Sequence, residues 1–442
     1  MKVCIVGTGD GGSTAAIQIR RQNGEAQIDM FSRRTSLGCP PCEMPLVIGG
    51  TVDTWDELVR GFRQDSFWEK RAVAVHLNTD VSDIDREGKC IIAGGKKYSY
   101  DKLILALGAV PVIPSVPGLD GKSEFALSTD MADGIALSSA VAQSTEAAIV
   151  GGGFIGLEIA AALRARGYSK VYLLPRHEIL RTYLDEDMAG TVKDVLRQNG
   201  VELILPARIE TISSKGEKKC IGFSDRELEV NFVFFATGAR PNVELAEKAG
   251  LEIGETGAVR VNQFLQTTEP DIYAIGDCME NWDLITGAKR RHQLAANAIR
   301  TGYIAGRNAA LGNRIAYEGT AMPFVTKIFS HQIGAVGFTE REAREEGLDT
   351  VSITVDTPRL RERVNGRPAH YKLVADGKTK TLVGAQIVSE EIVSATVDKL
   401  AVAIASRMPL MKLVQIDSCY SPHVQEDQIA VPLHRLIDKL GE

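Results

Sequence analysis

The chain has 442 residues, which is too many for one ordinary core and predicts about three domains. An apolar fraction of 44%, a charged fraction of 24% and the lack of an apolar run long enough to span a bilayer indicate a globular protein with no membrane partner. The net charge of −6 argues against a nucleic-acid partner.

The first residues predict a strand, a glycine-rich turn, a helix and a second strand. Residues 2–6 read as a buried strand, residues 13–21 are apolar at helical spacing, and residues 28–31 read as the next strand. The turn, residues 7–12, has the sequence Gly-Thr-Gly-Asp-Gly-Gly. A glycine turn between a strand and a helix is the context that a dinucleotide-binding fingerprint requires.

Each glycine of this turn has a separate role in holding a dinucleotide. Gly7 permits the tight bend, Gly9 lets backbone N–H groups reach a pyrophosphate, and Gly12 lets the helix pack on the strand. The carboxylate expected at the end of the second strand is replaced by Ser32, which can still bond a ribose hydroxyl, and Arg33 follows it. All five are candidate cofactor contacts.

A pair of cysteines, Cys39 and Cys42, follows this unit and is separated only by two prolines. A thiol at this distance behind a dinucleotide loop is expected close to the bound ring system, where electrons can pass between ring and sulfur. The chain has seven cysteines, an odd and scattered set that argues against a secreted disulfide framework and favours a reducing cytoplasm. Zinc needs four clustered ligands, so one close pair predicts no metal site.

Three further segments read as strands that end at a ligand: residues 103–111, 232–241 and 270–277. Small residues at a strand end let the backbone approach a ligand, and the prolines in the first two then force a change of direction. The candidate cofactor contacts at these ends are Ala106, Gly108, Gly238 and Asp277.

The strand–turn–helix pattern returns at residues 147–174, with Gly151, Gly153 and Gly156 as its fingerprint. Two such units imply two bound dinucleotides. Glu158 either faces the nicotinamide or serves as a partner of the helix dipole. At the end of the next strand no carboxylate is present and Arg176 follows, which favours a 2′-phosphate and hence NADPH over NADH. The alternative is that Arg176 is a solvated surface arginine.

These patterns predict an α/β protein with two doubly wound nucleotide-binding domains and a C-terminal α+β domain that begins near residue 319. The first cofactor domain is expected at residues 1–113 and 236–318, with the second inserted at 114–235. The tail, residues 319–442, lacks a third glycine fingerprint.

The order of these features resembles the pyridine nucleotide-disulfide oxidoreductases over essentially the whole chain. The most similar branch is that of coenzyme A disulfide reductases, NADH oxidases and persulfide or polysulfide reductases. The resemblance implies FAD in the first unit, with Asp277 at its ribityl chain, NADH or NADPH in the second, and a homodimer formed through the tail.

Residues 42–50, Cys-Glu-Met-Pro-Leu-Val-Ile-Gly-Gly, resemble the segment that carries the active cysteine in this branch. By resemblance Cys42 is the sulfur beside the flavin, and its thiolate attacks a disulfide or persulfide provided that a nearby positive field lowers its pKa. Cys39 departs from the branch, which works with one cysteine. Cys39 is therefore either a redox partner of Cys42 or an inert packed thiol.

Two more segments resemble functional parts of this branch. Thr14, Gln18 and Arg21 match the helix that binds coenzyme A in the disulfide reductases, although the arginine can equally be a solvated helix end. Tyr420 matches a tyrosine that reaches the active cysteine of the partner subunit. His423 is either an acid/base group or a polar surface residue.

The function predicted from these residues is FAD-dependent reduction of a disulfide, persulfide or polysulfide by NADPH or NADH, with coenzyme A as a candidate carrier. One alternative is an NAD(P)H oxidase that reduces oxygen or peroxide through a sulfenic acid of Cys42. Another is a flavoprotein that reduces a protein electron carrier, with the cysteines incidental.

Overall fold

Parallel strands and the glycine turns that follow them organise the first two thirds of the molecule. The computed structural model describes residues 1–38, 41–357, 367–418 and 429–441. Its helices are α1 (Asp10–Gln22), α2 (Met44–Ile48), α3 (Asp65–Glu69), α4 (Met131–Ala142), α5 (Phe154–Ala165), α6 (Glu186–Gln198), α7 (Glu244–Lys248), α8 (Ala295–Leu311), α9 (Glu340–Glu345), α10 (Ser394–Ala405), α11 (Leu410–Leu413) and α12 (Ala430–Lys439). Short 3₁₀ turns lie at Pro41–Glu43, Trp55–Leu58, Gly61–Arg63 and Gly276–Cys278.

The strands occur in the same chain order as the predicted units. They are β1 (Lys2–Val6), β2 (Gln27–Phe31), β3 (Val73–His76), β4 (Val81–Asp85), β5 (Cys90–Ala93), β6 (Lys96–Ser99), β7 (Lys102–Leu105), β8 (Ala109–Pro111), β9 (Glu124–Ala126), β10 (Glu146–Val150), β11 (Lys170–Leu174), β12 (Val201–Leu203), β13 (Thr211–Lys215), β14 (Lys218–Gly222), β15 (Glu227–Val230), β16 (Phe232–Phe235), β17 (Ala239–Pro241), β18 (Ile272–Ala274), β19 (Asn281–Trp282), β20 (Lys289–Arg290), β21 (Phe324–Ile328), β22 (His331–Gly337), β23 (Thr350–Asp356), β24 (Ala369–Asp376) and β25 (Thr381–Ser389).

The first sheet is parallel and has the order β18-β7-β1-β2-β3. Its central strand β1 is buried from Val3 to Val6, as expected for a parallel strand covered on both faces. Helix α1 begins at Asp10, earlier than the predicted residue 13, because Gly11 and Gly12 themselves form its first turn. A Cβ on Gly12 would lie 2.0 Å from the carbonyl oxygen of Gly7, so the helix can start this close to the strand only with glycine.

The second sheet repeats this plan in the order β12-β11-β10-β16-β9, again with parallel pairs. Helix α5 follows β10 through the second glycine turn, as α1 follows β1. The prediction of two doubly wound nucleotide-binding units is therefore confirmed.

A short antiparallel pair, β8 and β17, lies where the chain leaves the first sheet and where it returns from the second. Pro111 is opposite Ala239, and the Val112 N–H donates to the Gly238 carbonyl at 2.9 Å. The predicted turns at the two glycine- and proline-containing strand ends thus meet in one ribbon. The domain boundaries remain predictions.

The C-terminal part forms an antiparallel sheet with the order β21-β22-β25-β24-β23. Helices α10 and α12 pack on this sheet and complete the predicted α+β tail. The tail also contacts the second unit, because the Asp185 N–H donates to Oε1 of Gln386 at 2.8 Å. Within the described ranges, no helix combines the length and apolarity needed to cross a membrane.

Candidate active site

A cleft of about 2280 Å³ runs between the first and second parallel sheets. Both glycine turns, the strand ends after β7, β16 and β18, and Cys42 line this cleft. The carboxyl ends of parallel strands are the usual ligand edge of a doubly wound sheet. One cavity therefore brings together the two predicted dinucleotide cradles and the predicted thiol.

The first glycine turn has the close backbone contacts that a phosphate cradle needs. Gly7 has φ +114°, a conformation that favours glycine, and a Cβ there would lie 2.0 Å from the carbonyl oxygen of Ala106. Gly9 has no atom within 4 Å of where its Cβ would be, so its backbone faces open space at the start of α1. The turn therefore leaves room for a pyrophosphate at a helix N-terminus.

Asp277 lies in the same cleft, directly after β18, with its Oδ1 buried and without a hydrogen-bond partner among the described residues. Burial, followed by the nearby Asp10 carboxylate, raises the pKa of Asp277 to about 6. A buried acceptor without a partner is expected to meet the donor of a ligand, and ribityl hydroxyls would supply such donors. The residues present therefore fit FAD. The other predicted contacts to this cofactor that line the cleft are Ser32, Arg33, Ala106 and Gly108.

The second glycine turn repeats the geometry of the first. Gly151 has φ +118°, and a Cβ there would lie 2.2 Å from the Ala236 carbonyl oxygen, whereas Gly153 faces open space. A Cβ on Gly156 would lie 2.5 Å from the carbonyl oxygen of Gly151. Gly238 also lines the cleft. These residues fit a second dinucleotide.

Glu158 lies on the cleft side of α5 and accepts a hydrogen bond from the Thr326 hydroxyl of β21. Burial raises the pKa of Glu158, and the bond from Thr326 opposes this shift. Its place on the cleft wall is compatible with the predicted position near the nicotinamide. Its link to the C-terminal sheet was not visible in the sequence, because the two residues are 168 positions apart.

Arg176 lies at the end of β11 together with two arginines that sequence reasoning missed, Arg181 and Arg208. All three are exposed on the cleft wall, and no described residue forms a hydrogen bond or ion pair with their guanidinium groups. The nearby carboxylate of Glu178 is bound to Lys193 at 2.8 Å. Among the described residues, this corner therefore presents three guanidinium groups without a direct ion-pair partner, and Asp185 and Glu186 line a neighbouring pocket with Arg181. Arg181 could have been found by its closeness to Arg176 in sequence, whereas Arg208 arrives from a different loop.

Cys42 is exposed in the cleft, within the 3₁₀ turn that precedes α2. The surrounding protein raises the pKa of its thiol, the carboxylates of Asp10 and Glu43 raise it further, and Arg63 lowers it. The positive field that would lower this pKa is therefore not met by the described residues, because partial burial of the thiol and the two carboxylates outweigh the guanidinium of Arg63. Cys39 lies outside the described residues.

Asp10 and Arg63 form an ion pair of 2.9 Å on the wall that also carries Cys42. Neither residue belongs to the predicted site. The fingerprint leaves the identity of residue 10 open, and Arg63 approaches from a turn 53 positions away.

The predicted coenzyme A residues lie on α1 outside the set that lines the cleft. Gln18 is only 5% exposed and packs under α8, whereas Arg21 is exposed. Thr14 contacts the same helix near Gly302. Tyr420 and His423 fall outside the described residues. The roles of all five stay predictions.

Two dinucleotide cradles and an exposed thiol in one cleft define a flavin-dependent redox enzyme. The chain belongs to the pyridine nucleotide-disulphide oxidoreductase family, whose model matches residues 1–302, and the model of that family's dimerisation domain matches residues 324–429. The predicted family, fold class and enzyme class are confirmed, with FAD and a pyridine nucleotide as the cofactors that the family implies.

Relatives with different names cover nearly the whole chain. An NADH oxidase of Methanocaldococcus jannaschii is 32% identical over 437 residues, which cover 96% of this chain and 95% of the relative. An NAD(P)H sulfur oxidoreductase (CoA-dependent) of Pyrococcus abyssi is 32% identical over 430 residues, covering 95% and 94%. A solved NAD-dependent persulfide reductase from A. fulgidus is 30% identical, with a TM-score of 0.94, and covers 99% of this chain and 83% of that structure.

Proposed function

We propose that this enzyme uses NADPH or NADH to reduce a sulfur–sulfur bond of a small disulfide, persulfide or polysulfide, with Cys42 as the attacking thiol. The observation that carries the proposal is the exposed Cys42 in the cleft that also holds both glycine turns. The persulfide reductase and the CoA-dependent sulfur oxidoreductase among the relatives support sulfur as the substrate class.

The chemistry balances for a disulfide substrate. The Cys42 thiolate attacks one sulfur, the other sulfur leaves as a thiolate, and a mixed disulfide forms on Cys42. Bound FAD would supply the transfer of two electrons from the nicotinamide to sulfur. Those electrons cleave the mixed disulfide, so that one nucleotide and one proton yield two thiols, the oxidised nucleotide and free Cys42. Because the pKa of Cys42 is raised, the fraction present as thiolate should limit the rate at neutral pH.

The Cys42→Ser variant separates the thiol chemistry from cofactor binding. It should retain the flavin spectrum and the rate of flavin reduction by NADPH, and lose at least about a hundredfold in disulfide turnover, because a serine hydroxyl is not a nucleophile toward sulfur. Cys278→Ser provides a matched control, since Cys278 is completely buried. Unchanged turnover in Cys42→Ser would contradict the proposal.

The second candidate is an NAD(P)H oxidase. The open position of Cys42 favours it, since an exposed thiol can react with peroxide to give a sulfenic acid. The name of the Methanocaldococcus jannaschii relative supports the same activity. Oxygen uptake and thiol release, measured with the same reduced nucleotide, distinguish the two functions.

We further infer a preference for NADPH. Arg176, Arg181 and Arg208, which have no ion-pair partner among the described residues, can bind a 2′-phosphate, and residues 175–177 at the end of β11 include no acidic residue that would select a free ribose hydroxyl. Arg176→Ala should raise KM for NADPH about tenfold, the effect of losing one charge-assisted bond, and leave KM for NADH nearly unchanged. The control is Arg197→Ala, because that exposed arginine pairs with Asp194 on α6. Equal effects on both nucleotides would refute the preference.

The proposal also includes a homodimeric assembly and coenzyme A as the carrier of the sulfur substrate. The match of residues 324–429 to a dimerisation domain supports a homodimer, for which sedimentation would give twice the chain mass. The name of the Pyrococcus abyssi relative supports coenzyme A as the carrier of the sulfur substrate. Arg21, exposed on α1, is the predicted contact most open to such a ligand.

A further inference from the structure

The ion pair between Asp10 and Arg63 is not explained by cofactor binding. Asp10 is the first residue of α1, where the fingerprint prepares a place for an anionic pyrophosphate, and a second anion there is unfavourable unless it is compensated. Arg63 provides that compensation at 2.9 Å, with only 8% of its side chain exposed. The pair also joins the 3₁₀ turn Gly61–Arg63 to the start of α1.

Both members of the pair line the cleft wall that also carries Cys42. Charged side chains reach this thiol from three described elements: Asp10 from α1, Glu43 from the turn of Cys42 itself, and Arg63 from the Gly61–Arg63 turn. Glu43 is bound to Arg60 at 3.4 Å, but 72% of the Arg60 side chain is exposed, so water screens that second pair. Asp10 and Arg63 are therefore the less screened charges, and they have opposite effects on the pKa of the thiol.

We propose that Asp10 and Arg63 are positioning residues that together set how readily Cys42 becomes a thiolate. The carboxylate holds the guanidinium at α1 and offsets most of its charge, because a tight ion pair acts at a distance as a weak dipole. Cys42 then stays largely protonated, the state that partial burial of the thiol also favours, and a protonated thiol resists oxidation. This role rests on the proposed function of Cys42 as the reactive thiol.

The test is the pH profile of Cys42 alkylation by iodoacetamide in the flavin-loaded enzyme, followed by mass spectrometry of the Cys42 peptide. Asp10→Asn removes the carboxylate and releases Arg63, so its profile should move to lower pH by about half a unit to one unit. Arg63→Gln leaves the Asp10 carboxylate without its counter-charge and should move the profile to higher pH by a similar amount. Arg63→Lys keeps the charge and should remain close to wild type.

Two further variants sharpen the test. Arg60→Gln removes an exposed guanidinium that pairs with Glu43, the residue after Cys42, and should cause a clearly smaller shift than Arg63→Gln. The double variant Asp10→Asn, Arg63→Gln removes both charges and should fall between the single variants. The flavin absorbance of each variant reports whether the cofactor is retained, and should Asp10→Asn not fold, the comparison of Arg63→Gln with Arg63→Lys still decides the question.

Shifts of the alkylation profile in opposite directions in Asp10→Asn and Arg63→Gln would show that the charges of the pair control the Cys42 thiol. If the pair were merely structural, its loss would loosen the cleft wall and move both single-variant profiles in the same direction, which would overturn the proposal, as would the absence of any shift. Alkylation needs no turnover. If the Cys42→Ser enzyme kept full activity, the proposed function would be rejected, but the alkylation profiles would still show whether Asp10 and Arg63 tune the Cys42 thiol.

Discussion

Asp277 is a half-buried carboxylate whose Oδ1 atom is fully buried. Its Oδ1 lacks a hydrogen-bond partner within the described residues, and burial with the nearby Asp10 carboxylate raises its pKa to about 6 from an ordinary 3.8. At neutral pH the fold therefore holds an ionised carboxylate at a cost in free energy. Such a cost is expected for a side chain whose hydrogen-bond donors are supplied by a bound ligand.

The cost should be measurable in the flavin-free protein. Asp277→Asn removes the charge and should raise the free energy of unfolding by up to about 3 kcal/mol at pH 8, since each pKa unit corresponds to about 1.4 kcal/mol. Because the folded-state pKa is raised, the wild-type penalty is complete above pH 6 and fades as the pH falls toward 3.8. The advantage of the variant should therefore shrink between pH 6 and pH 4.

Urea unfolding of both flavin-free proteins at pH 8 and at pH 4.5 measures this difference. Asp80→Asn is the matched control, because Asp80 is an exposed aspartate on the rim of the same cleft, and it should change stability little at either pH. An advantage of Asp277→Asn that does not depend on pH would point to a cause other than the buried charge.

Helix α8 packs on α1 through two glycines one helical turn apart. A Cβ on Gly302 would lie 2.3 Å from the carbonyl oxygen of Gly11, and a Cβ on Gly306 would lie 2.6 Å from that of Ala15. Main-chain atoms cannot move aside as a flexible side chain can. The contact therefore sets the position of α1, and with it the glycine turn at its N-terminus.

Gly302→Ala should force α8 away from α1. We expect a loss of about 1–3 kcal/mol in the free energy of unfolding and weaker retention of FAD, because overpacking shifts the helix that carries the phosphate loop. The control is Gly190→Ala in α6, where a Cβ would meet no atom within 4 Å, and it should stabilise by about 0.5–1 kcal/mol. Thermal unfolding with flavin fluorescence measures both quantities. Equal behaviour of the two variants would show that the α1–α8 contact tolerates a methyl group.

Features of the fold that consecutive residues encode could be predicted from the sequence. The strand–turn–helix units could be predicted because an apolar run, glycines and a helical period follow one another at residues 2–21 and again at 147–166. Features that the fold assembles from distant segments could not be predicted in this way. The pKa of Cys42 depends on how far the fold buries the thiol and on the charges of Asp10 and Arg63, and no local pattern reports that a turn around residue 62 lies beside α1.

The second unit and the C-terminal sheet are joined by a buried lysine. Lys372 of β24 is 5% exposed, and its Nζ lies 2.8 Å from a carboxylate oxygen of Glu340 and 3.0 Å from one of Asp187. A third carboxylate, that of Asp185, lies 3.6 Å away and accepts a hydrogen bond from the Glu340 N–H at the start of α9. Glu158 and Thr326 link the same two parts at the cleft. The tail thereby fixes the orientation of the second unit, which is predicted to hold the nicotinamide cofactor.

Lys372→Met should destabilise the protein by about 3 kcal/mol at pH 7, because it leaves two largely buried carboxylates, those of Asp185 and Glu340, and the half-exposed one of Asp187 without their cation. Burial raises the pKa values of Asp187 and Glu340, but hydrogen bonds and the charge of Lys372 outweigh it, so both pKa values are lowered in the wild type. Their contribution to stability is therefore present above the ordinary carboxyl pKa near 4 and is lost as the pH falls through the lowered values.

In the Lys372→Met variant the repelling carboxylates take up protons at higher pH than in the wild type. The loss of unfolding free energy in this variant should therefore shrink toward pH 4. Denaturant unfolding at pH 7 and pH 4 tests this, with Lys378→Met as the control, since Lys378 is exposed at the turn after β24. A deficit of equal size at both pH values would assign the loss to packing of the lysine stem instead of to its charge.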